Sequence, residues 1–237
     1  MEPLTMKVAA VIAAAGMGTR MGSGVSKQSV LIGGKSVLTH ALERLCASGV
    51  LSSCVVVVPV GQLDRFRALI QQVENLYDIP IQCVEGGGNR TASVRKGLDA
   101  LDSSVDLVLI HDGARPFVTL ESILASVEKA KETGAAVAAV PAKDTIKIVD
   151  ASGIVESTPD RSRLFQIQTP QVFRLDWLMD AHEAASAEGW EATDDSALIE
   201  RMGHAVHLVR GSYFNLKITS PEDLVLAESI LAAIRNE

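Results

Sequence analysis

The chain has 237 residues, a length at which an α/β fold builds one substantial core, and its 47% hydrophobic and 22% charged residues mark no disordered tail or linker. With 22 Lys and Arg against 29 Asp and Glu, the formal net charge of -7 opposes the broad attraction behind non-specific nucleic-acid binding, so a polyanion has to be met by local basic groups. Cys46, Cys54 and Cys83 have neither CxxC spacing nor an even count, which argues against a zinc site and a disulfide framework and fits reduced thiols in a cytoplasmic protein.

The first apolar run, residues 8–15, is far shorter than the roughly 20 residues of a membrane span. It leads into a glycine-rich loop where a signal peptide would have a cleavage site, and reads as a first strand. Further Val- and Ile-rich runs at 54–59, 81–84, 107–110 and 135–140 alternate with segments of helical period at 37–48, 63–73, 90–101 and 120–133. Continuous apolar strands alternating with helices predict a Rossmann-like, mostly parallel sheet flanked by helices, with its ligand crevice at the carboxyl ends of the strands.

After Pro141 the rhythm changes. Short alternating segments at 145–149 and 154–157, joined by Asp150-Ala151-Ser152-Gly153, predict a β-hairpin. A two-stranded ribbon is marginal alone and needs a surface to pack on, for which a second subunit is one source. The chain returns through 166–173, with helices expected at 175–188 and 196–202 and an edge strand near 206–210. A last helix is expected to start at Ser220-Pro221-Glu222-Asp223, where Ser220 can cap and Pro221 suits the first helical position. The expectation is one unit over 1–237, with an arm at about 141–166 and no internal repeat.

Directly after the first strand comes Ala13-Ala14-Ala15-Gly16-Met17-Gly18-Thr19-Arg20-Met21-Gly22, small residues whose backbone N–H groups can approach a phosphate. It is not a dinucleotide fingerprint: Met21 stands at the third glycine position, and no acid occurs between Glu2 and Glu43. Nor is there a P-loop, since Gly34-Lys35-Ser36 would need glycine where Ser29 stands. The loop carries its own cations, Arg20 and Lys27, which suit a triphosphate whose α-phosphate gathers charge in the transition state. Read alone, it equally suits a tight turn with solvated charges.

His111-Asp112-Gly113-Ala114-Arg115-Pro116 places Asp112 at the carboxyl end of a buried strand, where a carboxylate can hold Mg²⁺ or cap a turn. His111 reads as a satisfied core histidine. Gly86-Gly87-Gly88-Asn89-Arg90-Thr91-Ala92-Ser93 lies at another strand-to-helix junction, suited to reading the edge of a flat base or simply to starting a helix. His204 and His207 make a poor metal pair without nearby cysteines.

Taken in order, these segments, with Lys27-Gln28, Asp144-Thr145, Asp160-Arg161, Gln168-Thr169-Pro170-Gln171, Thr193-Asp194-Asp195 and Asn215-Leu216-Lys217-Ile218-Thr219, resemble the 2-C-methyl-D-erythritol 4-phosphate cytidylyltransferases over nearly the whole chain. The resemblance implies a nucleotide-diphospho-sugar transferase type of fold with a projecting β-hairpin arm. It implies CTP lying over Ala14, Ala15, Gly16 and Gly18, the cytosine near Gly87, Gly88 and Ser93, and the ribose near Gly113. Arg20, Lys27 and Lys217 would stabilise developing charge while Asp112 holds Mg²⁺, and the acceptor phosphate would attack the α-phosphate of CTP and expel pyrophosphate. It further implies a homodimer in which Thr145 and Arg161 reach methylerythritol phosphate in the partner's site. Two departures stand out: Phe214 where the family commonly has an acid, and Ser26 where proline is usual. The nearest rival is a ribitol 5-phosphate cytidylyltransferase, which shares the loop but is less similar at the Asp160 and Thr193 blocks.

Overall fold

The computed structural model describes residues 6–16, 27–190 and 192–235. Its centre is a seven-stranded sheet in the order β11-β7-β10-β6-β1-β4-β5. The strands are β1 (Val8–Ala13), β4 (Ser53–Val58), β5 (Ile81–Glu85), β6 (Leu107–Asp112), β7 (Ala135–Pro141), β10 (Phe165–Arg174) and β11 (His207–Arg210). Along β1, β4 and β6 successive side chains enter opposite cores. Ile12, Val56 and Leu109 join one cluster, while Val11, Val55 and Ile110 join the other. Both faces are therefore covered, which is why these strands are apolar without a polar alternation.

Helices α1 (Val37–Cys46), α2 (Leu63–Tyr77) and α4 (Leu120–Thr133) pack with the first cluster. Helices α3 (Arg90–Asp99), α5 (Leu175–Glu188) and α6 (Ser196–Arg201) pack with the second. Helix α7 (Pro221–Arg235) closes a third cluster with Ile32, Val37 and Phe117. Helices α1, α3 and α4 begin where short polar side chains satisfy free N–H groups: Ser36 accepts from Thr39 N, Asn89 from Ala92 N and Thr119 from Ser122 N. At α7 the carboxylate of Asp223 accepts from the backbone N–H groups of Thr219 and Ser220, the reciprocal half of a capping box.

The sheet is mostly parallel, with one exception that the apolar pattern does not reveal. Strand β10 runs antiparallel between β6 and β7. The chain leaves β7, makes the arm and returns beside β7, and an antiparallel neighbour needs no crossover helix. The register of β10 shifts between Ile167 and Gln171, and this irregularity carries Thr169 to the end of β6.

The arm is real but its paired strands are short, β8 (Ile148–Val149) and β9 (Val155–Ser157), against the expected 145–149 and 154–157. Ile148, Val149, Ile154 and Val155 are all about half exposed or more, so no core extends the pairing. A second small hairpin, β2 (Leu31–Ile32) with β3 (Lys35–Ser36), was absent from the sequence expectation. Its signal is Gly33-Gly34, whose φ values of 54° and 86° are those of a type I′ turn. Among the described residues, no helix is long and apolar enough to cross a membrane.

Candidate active site

A cleft of about 570 Å³ opens at the carboxyl ends of β1, β4, β5 and β6. Its walls include Ala15 and Gly16 after β1, Lys27 and Gln28, Pro59 and Val60 after β4, residues 86–90 and Ser93 after β5, Asp112 at the end of β6, and Lys217. Parallel strands end together on one edge, so loops far apart in sequence meet there.

Glycine backbone shapes one wall for packing reasons. A Cβ on Gly86 would lie 2.5 Å from Ala15 Cβ, and one on Gly87 would lie 2.6 Å from Ala92 Cβ. Gly88 meets nothing within 4 Å and leaves open space. Ser93 braces the turn: its Oγ accepts from Gly87 N at 3.0 Å and donates to Asn89 O at 2.7 Å. Gly113 lies between the lining residues Asp112 and Ala114, where a Cβ would come 3.1 Å from Ala14 Cβ. Ala14 itself is buried in the core, and its N–H donates to Val57 O, so it supports the loop from behind while Ala13 and Ala15 face the cleft.

Asp112 is the hub of the charged groups. Its Oδ2 lies 2.9 Å from Lys217 Nζ and 3.4 Å from Arg115 Nε, and its Oδ1 lies 3.9 Å from Arg90 Nε. Burial pushes the carboxyl up, but Lys217, Arg90 and Arg115 outweigh it and hold Asp112 well below the usual carboxylate range. Arg115 also donates to Asn215 O at 2.8 Å, and Asn215 Nδ2 donates to Thr169 O at 2.8 Å. The Lys217 segment is thereby tied both to β6 and to the irregularity of β10.

His111 is wholly buried, with Nδ1 3.0 Å from Thr169 Oγ1 and Nε2 3.1 Å from Arg115 O. Burial above all pushes it down to about 4, so it sits neutral beneath the site. Thr169 Oγ1 also accepts from Asp112 N at 3.0 Å, giving β10 a direct hold on the hub.

Of the residues the sequence singled out, Ala15, Gly16, Lys27, Gly87, Gly88, Ser93, Asp112 and Lys217 line this one cleft. Gly18 and Arg20 lie outside the described residues. Thr145 and Arg161 stand on the arm, not on the cleft wall, and Arg161 donates to Lys143 O at 2.9 Å. Phe214 is half exposed. Sequence reasoning gave no role to Arg90, which pairs with buried Asp195 at 2.7 Å, nor to His182 behind it. The available signal was the position of Arg90 at the start of a helix after a triple glycine.

Residues 8–233 match the family model of 2-C-methyl-D-erythritol 4-phosphate cytidylyltransferase. The chain is 44% identical over 235 residues to the 2-C-methyl-D-erythritol 4-phosphate cytidylyltransferase of Geotalea uraniireducens, covering 98% of this chain and 100% of that protein. The protein of that name from Thermosynechococcus vestitus is 44% identical over 227 residues, with 96% of each chain covered. Among solved structures, 4-diphosphocytidyl-2C-methyl-D-erythritol synthase from Anaerococcus prevotii superposes with a TM-score of 0.84 at 32% identity over 96% of each chain. 2-C-methyl-D-erythritol 4-phosphate cytidylyltransferase from Thermus thermophilus gives 0.78 at 32% identity over 96% of this chain and 100% of its own.

Proposed function

The chain belongs to the 2-C-methyl-D-erythritol 4-phosphate cytidylyltransferase family, and on that premise we propose that it transfers the cytidylyl group of CTP to 2-C-methyl-D-erythritol 4-phosphate, releasing pyrophosphate. The observation that carries the reading is the cluster at the end of β6. There Asp112 and Lys217, 2.9 Å apart, share a glycine-walled cleft with Lys27.

An oxygen of the acceptor phosphate attacks the α-phosphorus of CTP, the bond to the β-phosphate oxygen breaks, and pyrophosphate leaves with the electron pair. A phosphate monoester has its second pKa near ~6, so the nucleophile is already an anion and needs no general base. The work of the site is then positioning and charge neutralisation. Lys27, Lys217 and, from the loop before them, Arg20 take the charge that gathers on the α-phosphate. The backbone of Ala15 and Gly16 lies under the phosphates, with Ala14 supporting it, and the family resemblance assigns Gly18 the same role. The turn at Gly87 and Gly88, braced by Ser93, faces the cytosine, and the backbone at Gly113, packed closely on Ala14, lies beside the ribose.

A divalent cation belongs to this reading as a companion of the triphosphate. Asp112 offers one hard, ionised carboxylate, with Oδ2 2.9 Å from Lys217 Nζ and Oδ1 3.9 Å from Arg90 Nε. No group of three or more His, Cys, Asp or Glu gathers among the described residues, and Phe214 offers no second acid. That donor set suits Mg²⁺, which is commonly held by one or two carboxylates, substrate phosphates and water. When bound, the ion would neutralise phosphate charge beside Asp112.

The exposed apolar arm supports a homodimer, with Thr145 and Arg161 of one protomer completing the acceptor side of the other. The deciding experiment is pyrophosphate release from CTP and Mg²⁺ with each acceptor. Turnover with methylerythritol phosphate and none with ribitol 5-phosphate is expected. The opposite preference would overturn the assignment.

A further inference from the structure

Among the described residues of the cleft, Arg90 is a cation that the transfer reaction as described leaves unused. Arg90, the first residue of α3, lines the wall, and its guanidinium is shared unequally between two carboxylates. Its terminal nitrogen NH2 is 2.7 Å from Asp195 Oδ2, whereas its Nε is 3.9 Å from Asp112 Oδ1. Asp195 is fully buried, at the start of α6, yet its side chain makes no capping hydrogen bond to that helix. Its second oxygen, Oδ1, lies 3.2 Å from Nε2 of His182, which is also buried. His182 Nδ1 has no hydrogen-bond partner among the described residues. The tautomer with its proton on Nε2 serves Asp195 and leaves only a lone pair unmatched.

A carboxylate buried this deeply persists only when paired, and among the described residues its partners are His182 and Arg90, the latter through a close ion pair at Oδ2 without hydrogen-bond geometry. The consequence reaches Asp112. Lys217 and Arg115 make their closest approaches to Asp112 at Oδ2, whereas Arg90 makes its closest approach at Oδ1. Arg90 Nε stands 3.9 Å from Oδ1. A guanidinium without a closer anion would move onto it, because the attraction rises as the separation falls.

We propose that Asp195, oriented by His182, is a positioning residue for cytidylyl transfer: it draws Arg90 onto itself and so keeps Oδ1 of Asp112 open to the cleft. The inference rests on the transfer reaction proposed above. An ordinary structural salt bridge between α3 and α6 predicts something different: the single variant loses stability and the double variant regains it, while kcat of the folded enzyme stays unchanged in both.

The test is a set of variants assayed by pyrophosphate release, with thermal unfolding recorded for each. Wild-type turnover reports on the reaction itself, and the variants measured against it report on this inference. Asp195→Asn is expected to lower kcat by about 10- to 100-fold, the usual effect of losing a residue behind a ligand-binding group. KM for CTP should stay within about threefold, as for an interaction acting on the transition state. Adding Arg90→Gln should then restore most of the lost activity, since the displaced cation is gone. If Asp195→Asn does not fold, His182→Gln, which leaves the Asp195 charge in place, should give a smaller loss with the same rescue. A double variant no more active than its parent, or a loss equal to the product of the single losses, overturns the proposal.

Discussion

At the scale of single residues, burial acts on neighbouring groups with opposite results. Asp112 and His111 are adjacent and both buried, yet one is held ionised and the other neutral. Asp112 faces three cations, whereas the hydrogen bond to Arg115 O and the nearby Asp112 charge do not offset the burial of His111. A pH signature follows for His111. Its folded value, about 4, lies below the ordinary 6.5, so the unfolded chain binds the extra proton first. Stability is complete above about 6.5 and is lost as pH falls towards about 4, at about 1.4 kcal/mol per unit, or roughly 3 kcal/mol in all. Denaturant unfolding between pH 7 and pH 4.5 should show this slope in the wild type and a flatter one in His111→Gln. An equally steep slope in the variant would assign the loss to carboxylates. Asp112 as a hub was legible from its place at a strand end. The pairing of Arg90 with Asp195 was not, because it joins two helices with no shared local pattern.

At the scale of elements, a close approach of α3 to the sheet sets the cleft wall. A Cβ on Gly97 would lie 2.5 Å from Val11 Cγ1 and 2.8 Å from Val57 Cγ2. Alanine is the better helix former by about 0.8–1 kcal/mol, but overpacking a tight core costs about 1–3 kcal/mol. The clash is expected to win, so Gly97→Ala should lose about 1 kcal/mol or more in chemical denaturation. Turnover should fall with it, since α3 carries both Arg90 and Ser93. A raised midpoint would show that the helix backs away at no cost. The alternation of apolar runs and helical periods located most of these elements, since both signals are local. The direction of β10 escaped it, because the side-chain pattern of a strand reads the same both ways. The β2–β3 hairpin escaped because its strands have two residues each.

At the scale of the whole molecule, a chain of net charge -7 concentrates Lys27, Arg90, Arg115 and Lys217 around one edge of its sheet. Selectivity for a phosphorylated ligand thus comes from local charge and not from the overall field. The arm raises the question of a partner. If Arg161 serves the neighbouring protomer, mixing Asp112→Ala with Arg161→Ala subunits creates one intact site in each mixed dimer. Random mixing makes half the dimers mixed, so about a quarter of wild-type activity should return. Mixed dimers that form and stay inactive would place Arg161 in its own subunit's site.

The sequence by itself determined the strands, the helices, the loops at their ends and, through ordered motifs, the family and its reaction. These follow from side-chain period, turn chemistry and residue type, all of which act over a few positions. Only the tertiary structure decided that β10 enters antiparallel beside β6, that Thr169 and Asn215 brace the Asp112–Lys217 pair, and that Asp195 holds Arg90 away from it. Those arrangements depend on which distant oxygen lies nearest a given cation, and that distance exists only once the chain is packed.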